Sequence, residues 1–298
     1  MIFGVVFFAY GVLTLSHFLL SLLETLWSSF TYKGFYYPKG SWAIITACTD
    51  GLGLGFSEEL AKRGLNIIQI SRNSEKLEKT ARFLSSTYNV QVKSVVQDIE
   101  NLALDPISFV MNLKSEVSGL KISVLVNNAG GGVGQAFVSS KNIHKSISYN
   151  IFGTVFLTKL VLDSVGSQQK YGIINVSSVS GVAPGTRFIM YKSCKAFVSV
   201  FSGIASEETG YWDKKSGSLG RVLCLRAGLI DTPATAGLRT KPLIISKYEC
   251  ANSALRALGV SSISSGHWKH MIIFMMTWAL SPLDPLIGDY INRQFETT

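Results

Sequence analysis

The chain has 298 residues, of which 47% are hydrophobic and only 16% charged, and it carries a formal net charge of +9. A mean hydropathy of +0.28 and a charged fraction below the roughly 25% of an average soluble protein predict that part of the chain meets lipid. Its basic residues are scattered in ones and twos (Lys62, Arg63, Lys76, Lys79, Lys214, Lys215), which argues against nucleic acid and for a phosphate-bearing small molecule or an anionic membrane surface.

The first predicted element is "IFGVVFFAYGVLTLSHFLLSLL", Ile2 to Leu23, with His17 as its one potentially charged side chain. About 20 apolar residues suffice for a helix to cross the hydrocarbon core. A cleavable signal peptide has a basic start and a shorter apolar run, and neither is present. The reading is an N-terminal transmembrane helix within a membrane anchor over residues 1–30. Lys33 and Lys39 follow the span and no Lys or Arg precedes it, so the positive-inside rule directs the remainder of the chain to the cytosol.

From residue 40 to about 260, apolar runs of strand length alternate with helical stretches. "SWAIITA" (41–47), "LNIIQIS" (65–71), "VQVKSVVQD" (90–98), "ISVLVNNAG" (122–130), "GIINVSS" (172–178) and "RVLCLRAGLI" (221–230) read as buried strands, because a parallel sheet covered on both faces needs continuous apolar strands. "GFSEELAKRG" and "NIFGTVFLTKLVLDSV" have helical periodicity. The alternation predicts an α/β fold, a Rossmann-like doubly wound parallel sheet with helices on both faces.

After the first strand, "TACTDGLGLG" (46–55) opens directly into a helix. A glycine-rich turn at that junction presents backbone N–H groups and a helix N-terminus to a phosphate. Thr46, Ala47, Thr49, Asp50, Gly51, Leu52 and Gly53 are the candidate cofactor residues there. The second strand ends "QISRN", with Arg72 and no acid. A carboxylate at this place bonds the ribose 2′-hydroxyl of NAD and repels a 2′-phosphate, whereas a guanidinium binds the phosphate. The expected cofactor is therefore NADP(H).

Further on, "IMYKSCKAF" sets Tyr191 and Lys195 one helical turn apart, and the serine pair Ser177 and Ser178 of "NVSSVSG" stands about thirteen residues before the tyrosine. A cation beside a phenol favours phenolate, drawing the pKa from about 10 towards working pH. The same helix continues as "AFVSVFSGIA", apolar enough either to meet a second subunit in a homodimer or to be buried within one. Cys48, Cys194, Cys224 and Cys250 are isolated, which suggests neither a metal site nor a disulfide scaffold but buried thiols in a reducing compartment. The tail "MIIFMMTWALSPLDPLI" (271–287) is broken by Pro282, Asp284 and Pro285. Within an apolar C-terminal segment over 261–298, three readings stand: an in-plane membrane segment, a substrate-pocket wall, or a helix packed in the core.

The glycine turn, "NNAG" (127–130), Asn150, "SSVSG" and "YKSCK", in this order, resemble the short-chain dehydrogenase/reductase family over about residues 41 to 232. The resemblance implies that Tyr191 is the proton donor or acceptor, Lys195 its activator, Ser178 the carbonyl polariser and Asn150 a link in a proton relay. It also implies that Asp98 meets the adenine, that Asn128 and Gly130 lie along the cofactor, that Ile230 and Thr232 meet its carboxamide end, and that Lys195 holds the nicotinamide ribose. Two departures stand out: Ala47 where the family's turn has glycine, and Ala227 where Pro precedes Gly228.

The anchor, "DGLGLGFSEELAKRGLNIIQISRN" (50–73) and, more loosely, "SALRALGVSSISSGHWKHMIIF" (253–274) resemble the membrane-bound branch of very-long-chain 3-oxoacyl-CoA reductases and type 12 and type 3 17β-hydroxysteroid dehydrogenases. That resemblance implies residence in the endoplasmic reticulum membrane with the catalytic domain facing the cytosol. It also implies a lipid carbonyl substrate, and other elongation enzymes as partners if that substrate is an acyl-CoA. Reduction of 3-oxoacyl-CoA is the leading reading; a steroid or retinoid is the alternative. A catalytically silent NADP(H)-binding membrane scaffold, suggested by the two alanines, is the alternative from another class.

Overall fold

The computed structural model describes Phe35, residues 37–131, 143–165, 169–182, 188–216, 219–235 and 243–280, and part of 4–23. Seven parallel strands form one sheet in the order β3-β2-β1-β4-β5-β6-β7. They are β1 (Trp42–Thr46), β2 (Asn66–Ser71), β3 (Val92–Val96), β4 (Ile122–Asn127), β5 (Lys170–Ser178), β6 (Leu219–Ala227) and β7 (Ile263–Ser264). Six are the runs expected from the sequence. The seventh, two residues long beside Cys224 and Leu225, is too short to carry a periodicity.

The helices are α1 (Gly51–Lys62), α2 (Ser74–Tyr88), α3 (Pro106–Val117), α4 (Ile143–Ile147), α5 (Gly153–Ser164), α6 (Ile189–Ser216), α7 (Lys247–Ala257) and α8 (Trp268–Leu280). One apolar core joins α1, α2 and α7 to one face of the sheet through Phe56, Leu60, Leu77, Leu84, Leu255 and Ile45. The other joins α3 and α5 to the opposite face through Phe109, Leu113, Leu157, Val161 and Ile44. Helices on both faces explain why the central strands carry apolar residues continuously. At the edge, β3 departs from the expected buried strand: its residues are half-buried or exposed, because no strand pairs with its outer side.

Strand order reverses between β1 and β4, so the crevice at their carboxyl ends lies at a topological switch point, where such sheets bind ligands. Both candidate segments end there: the glycine turn after β1 and "NNAG" after β4.

Described residues between 4 and 23 are helical and exposed. Among the described residues, no helix is long and apolar enough to cross a membrane. The remainder of the expected N-terminal span, Lys33, and the break at Pro282, Asp284 and Pro285 lie outside them. Of the three readings of the tail, core packing holds for the first turn of α8, where His270 and Met271 are buried, while Met276 farther along is exposed. All four cysteines are free and buried.

Candidate active site

The turn after β1 is fastened to the loop after β4. Thr46 Oγ1 accepts from the backbone N–H groups of Asn128 (2.9 Å) and Ala129 (2.8 Å). In return, Asn128 Nδ2 donates to the carbonyls of Thr46 (3.1 Å) and Ala47 (3.3 Å). Asp50 caps α1 by accepting from Gly51 N–H at 2.7 Å. Gly53 has no room for a side chain: a Cβ there would lie 2.2 Å from the Ala47 carbonyl oxygen and 2.6 Å from Asn128 Nδ2. Ala47 itself has φ +50°, the left-handed region that a Cβ disfavours. Thr49 is half-buried in the turn and Leu52 faces the core.

Beside the turn, Arg72 pairs with Glu100 at 2.9 Å. Together with Ala47, Asp98, Ala129 and Tyr149 they line a cavity of about 60 Å³. Asp98 accepts from Glu100 N–H and Asn101 Nδ2, both at 3.0 Å, so it shapes the turn after β3 as well as the cavity wall. Neither Glu100 nor Tyr149 was expected from the sequence. The ion pair spans 28 residues, and no local pattern announces it; Tyr149 had one signal, its place directly before Asn150.

The four expected catalytic residues converge at the far end of the same crevice. Ser178 closes β5 beside the Tyr191 phenol; its hydroxyl meets Ser180 Oγ at 2.8 Å. Ser177 points the other way, donating to the Lys195 carbonyl at 2.6 Å and meeting Ser199 Oγ at 2.9 Å. Strand alternation thus separates a serine that faces the site from one that fastens α6 to the sheet.

Lys195 is 3% exposed. Its ammonium donates to the Val176 carbonyl at 2.8 Å and stands 5.7 Å from the centre of the Tyr191 ring. Burial pushes its pKa down to about 8. The expected lowering of the tyrosine pKa meets a stronger opposing force: burial holds Tyr191 above its ordinary 10, against the downward pull of the Ser178 hydrogen bond. The free protein therefore carries a phenol, the form that donates a proton.

Asn150 is fully buried on a π-turn, Ser148–Phe152, a widened turn frequent at functional sites. Its Oδ1 accepts from Gly131 N–H at 3.1 Å, and its Nδ2 donates to the carbonyls of Gly131 (3.0 Å) and Ser146 (2.9 Å). A Cβ on Gly130 would lie 2.5 Å from Lys195 Nζ and 2.9 Å from Asn150 Oδ1, so glycine lets the β4 loop pass directly over both. Thr232 covers the opposite end of the turn, its methyl 3.2 Å from where a Gly51 Cβ would sit. Ile230 is buried in the core, and its backbone bridges to Ile245.

The sequence matches the family profile described as short chain dehydrogenase over residues 41–243. It is 31% identical over 259 residues to the very-long-chain 3-oxoacyl-CoA reductase-A of Danio rerio, covering 84% of this chain and 77% of that one. With the 17-beta-hydroxysteroid dehydrogenase type 3 of Homo sapiens it shares 34% identity over 245 residues, 81% of this chain and 76% of that one. A solved 7beta-hydroxysteroid dehydrogenase superposes with a TM-score of 0.66 at 22% identity, over 76% of this chain and 86% of that one, a likeness of fold.

Proposed function

The chain belongs to the short-chain dehydrogenase family, and from that premise we propose that it is an NADPH-dependent reductase of a lipid carbonyl, converting very-long-chain 3-oxoacyl-CoA to 3-hydroxyacyl-CoA in fatty acid elongation. The observation that carries the chemistry is the meeting of Ser178, Tyr191, Lys195 and Asn150 at the end of a glycine-lined crevice. The crevice suits a dinucleotide: the places where a Cβ would block it, at Gly53 and Gly130, hold glycine, and the N-terminus of α1 opens towards a phosphate. Thr46, Ala47, Thr49, Asp50, Gly51, Leu52 and Gly53 would hold the pyrophosphate side, Arg72 and Asp98 the adenosine side, and Asn128, Gly130, Ile230 and Thr232 the remainder.

NADPH, when bound, supplies the hydride. As negative charge grows on the substrate oxygen, the Ser178 hydroxyl donates a hydrogen bond to it and the Tyr191 phenol transfers its proton. The Lys195 ammonium stabilises the phenolate left behind. Asn150, held by Gly131 and Ser146, keeps the β4 loop in register and forms a link in the return of a proton to Tyr191.

The substrate class is supported by the Danio rerio relative's name, and a steroid reading by the human relative's. Exposed apolar residues between 4 and 23 support a transmembrane anchor in the endoplasmic reticulum, with the catalytic domain in the cytosol. On α6, Phe197, Val200 and Ile204 face outwards, a stripe suited to a homodimer.

The test is NADPH oxidation by the detergent-solubilised full chain offered 3-oxoacyl-CoA substrates, steroids and retinoids in parallel. Turnover greatest on 3-oxoacyl-CoA and abolished by Tyr191→Phe is expected. Turnover greatest on a steroid moves the assignment to the alternative substrate. NADPH binding without turnover on any lipid carbonyl would make the protein a scaffold.

A further inference from the structure

His270, in the first turn of α8, is 0% exposed and belongs to none of the groups assigned above. Its Nε2 lies 3.0 Å from the Leu229 carbonyl and its Nδ1 3.1 Å from the Ser265 carbonyl. The ring lies against the backbone that follows β6: a Cβ on Gly228 would be 2.6 Å from its Cδ2 and 2.9 Å from its Cγ. A polar ring in a wholly buried place is costly unless its nitrogens are satisfied, and a leucine or phenylalanine would fill apolar space without that cost. Its use is therefore in the bonds it makes.

The Leu229 carbonyl is the pivot of the segment that runs from β6 to the glycine turn. It accepts from Ile245 N–H at 3.2 Å, and Asp231 N–H returns a bond to the Ile245 carbonyl at 2.8 Å. Thr232, three residues on, packs over Gly51. The same helix α8 also packs against the turn at Val179–Gly181 that follows Ser178. His270 thus ties helix α8, which packs against the turn after Ser178, to the loop that follows β6. Burial holds its pKa below the ordinary 6.5, opposed by its bonds to Leu229 and Ser265 and assisted by nearby His267 and Lys269. A neutral imidazole carries one N–H, so one of the two carbonyls takes the hydrogen and the other faces a bare nitrogen.

We propose that His270 is a positioning residue whose Nε2–H, donated to the Leu229 carbonyl, fixes loop Gly228–Thr232 against the nicotinamide half of the cofactor. The proposal rests on the NADP(H) reading above and adds to it a residue that sets how the reactive end is held.

The experiment compares two variants of the detergent-solubilised full chain. His270→Gln keeps an amide donor near the place of Nε2, and His270→Asn keeps one near the place of Nδ1. The probes are NADPH and 2′,5′-ADP, which carries only the adenosine half. Loss of one hydrogen bond corresponds to an effect on the order of tenfold. His270→Asn is expected to weaken NADPH binding and lower kcat by about that factor while leaving 2′,5′-ADP binding unchanged, with His270→Gln close to the parent protein. Equal effects of the two variants overturn the proposal, because the Ser265 arm or simple packing would then account for the residue. So does a parallel loss of both probes, the signature of general unfolding. If the parent protein binds 2′,5′-ADP and NADPH but neither variant departs from it, this inference alone fails; if the parent binds neither, the cofactor reading fails and takes the inference with it.

Discussion

Lys195 carries the clearest pH signature of the site. Its folded-state pKa of about 8 lies below its ordinary 10.5 because burial disfavours the ammonium. Between those values the unfolded chain holds a proton that the folded chain has released, so this residue's contribution to stability grows as pH rises through the window. Catalysis runs the other way, since the charge that supports the Tyr191 phenolate is lost above about pH 8. Tyr191, held above 10, stays protonated meanwhile. A profile of kcat/KM for NADPH against pH is expected to fall above about pH 8 without a matching fall in melting temperature. A flat profile across that range would remove Lys195 from the proton chemistry. Arg72 offers a second test at this scale. Its guanidinium, 65% exposed, already pairs with Glu100, a carboxylate that would repel a 2′-phosphate arriving at the same place. Arg72→Ala should raise the KM for NADPH far more than that for NADH, and Glu100→Gln should lower the KM for NADPH, each by up to about tenfold. Equal effects on the two cofactors would mean that neither residue reads the phosphate. Of this pair the sequence showed Arg72, through its place at the end of a strand. Glu100 was hidden, because a partner brought in by a neighbouring strand has no fixed spacing.

Among the elements, the glycine turn is where sequence and strain meet. Its strand, its helix and the glycine-rich junction between them were legible, since each follows from local rules, whereas the bar to a side chain at Gly53 comes partly from Asn128 on the loop after β4. The departure at Ala47 was legible too, but its consequence was not: only the backbone shows that this residue sits at φ +50°. A left-handed conformation costs a non-glycine residue about 1–2 kcal/mol, and the entropy of a glycine in the unfolded chain returns part of that, about 0.4–1 kcal/mol. Ala47→Gly is therefore expected to stabilise the protein by about 0.5 kcal/mol. By removing a methyl group from the turn, it should also tighten NADPH severalfold; thermal unfolding and a fluorescence titration read the two effects. A lower melting temperature would show that the turn is not strained. The other elements follow the same division. The six strands with apolar runs were visible, whereas β7 is ordered by β6, and the first turn of α8 is placed by the space that Gly228 leaves for His270. Tertiary packing alone decides such elements.

At the scale of the whole molecule, the chain has two apolar ends and a reductase fold between them, and each end could hold it at a membrane. The structure treats them differently. The first turn of α8 is committed to the core through His270 and Met271, which leaves less of its apolar surface for lipid. Near the N-terminus, Val5, Phe8, Leu13 and Leu20 are each at least 60% exposed, and that helix shows no buried face among its described residues. Such a helix is apolar on sides that water would otherwise meet, the pattern expected of a segment surrounded by acyl chains. A lysine at the centre of a membrane helix costs about 2.5–3.5 kcal/mol on insertion scales. Leu13→Lys together with Leu20→Lys should therefore move the full chain from the carbonate-resistant membrane pellet to the soluble fraction in cell extracts, with the Tyr191-dependent NADPH oxidation moving with it. If the doubly substituted chain stays in the pellet and active, the N-terminal helix is not the anchor.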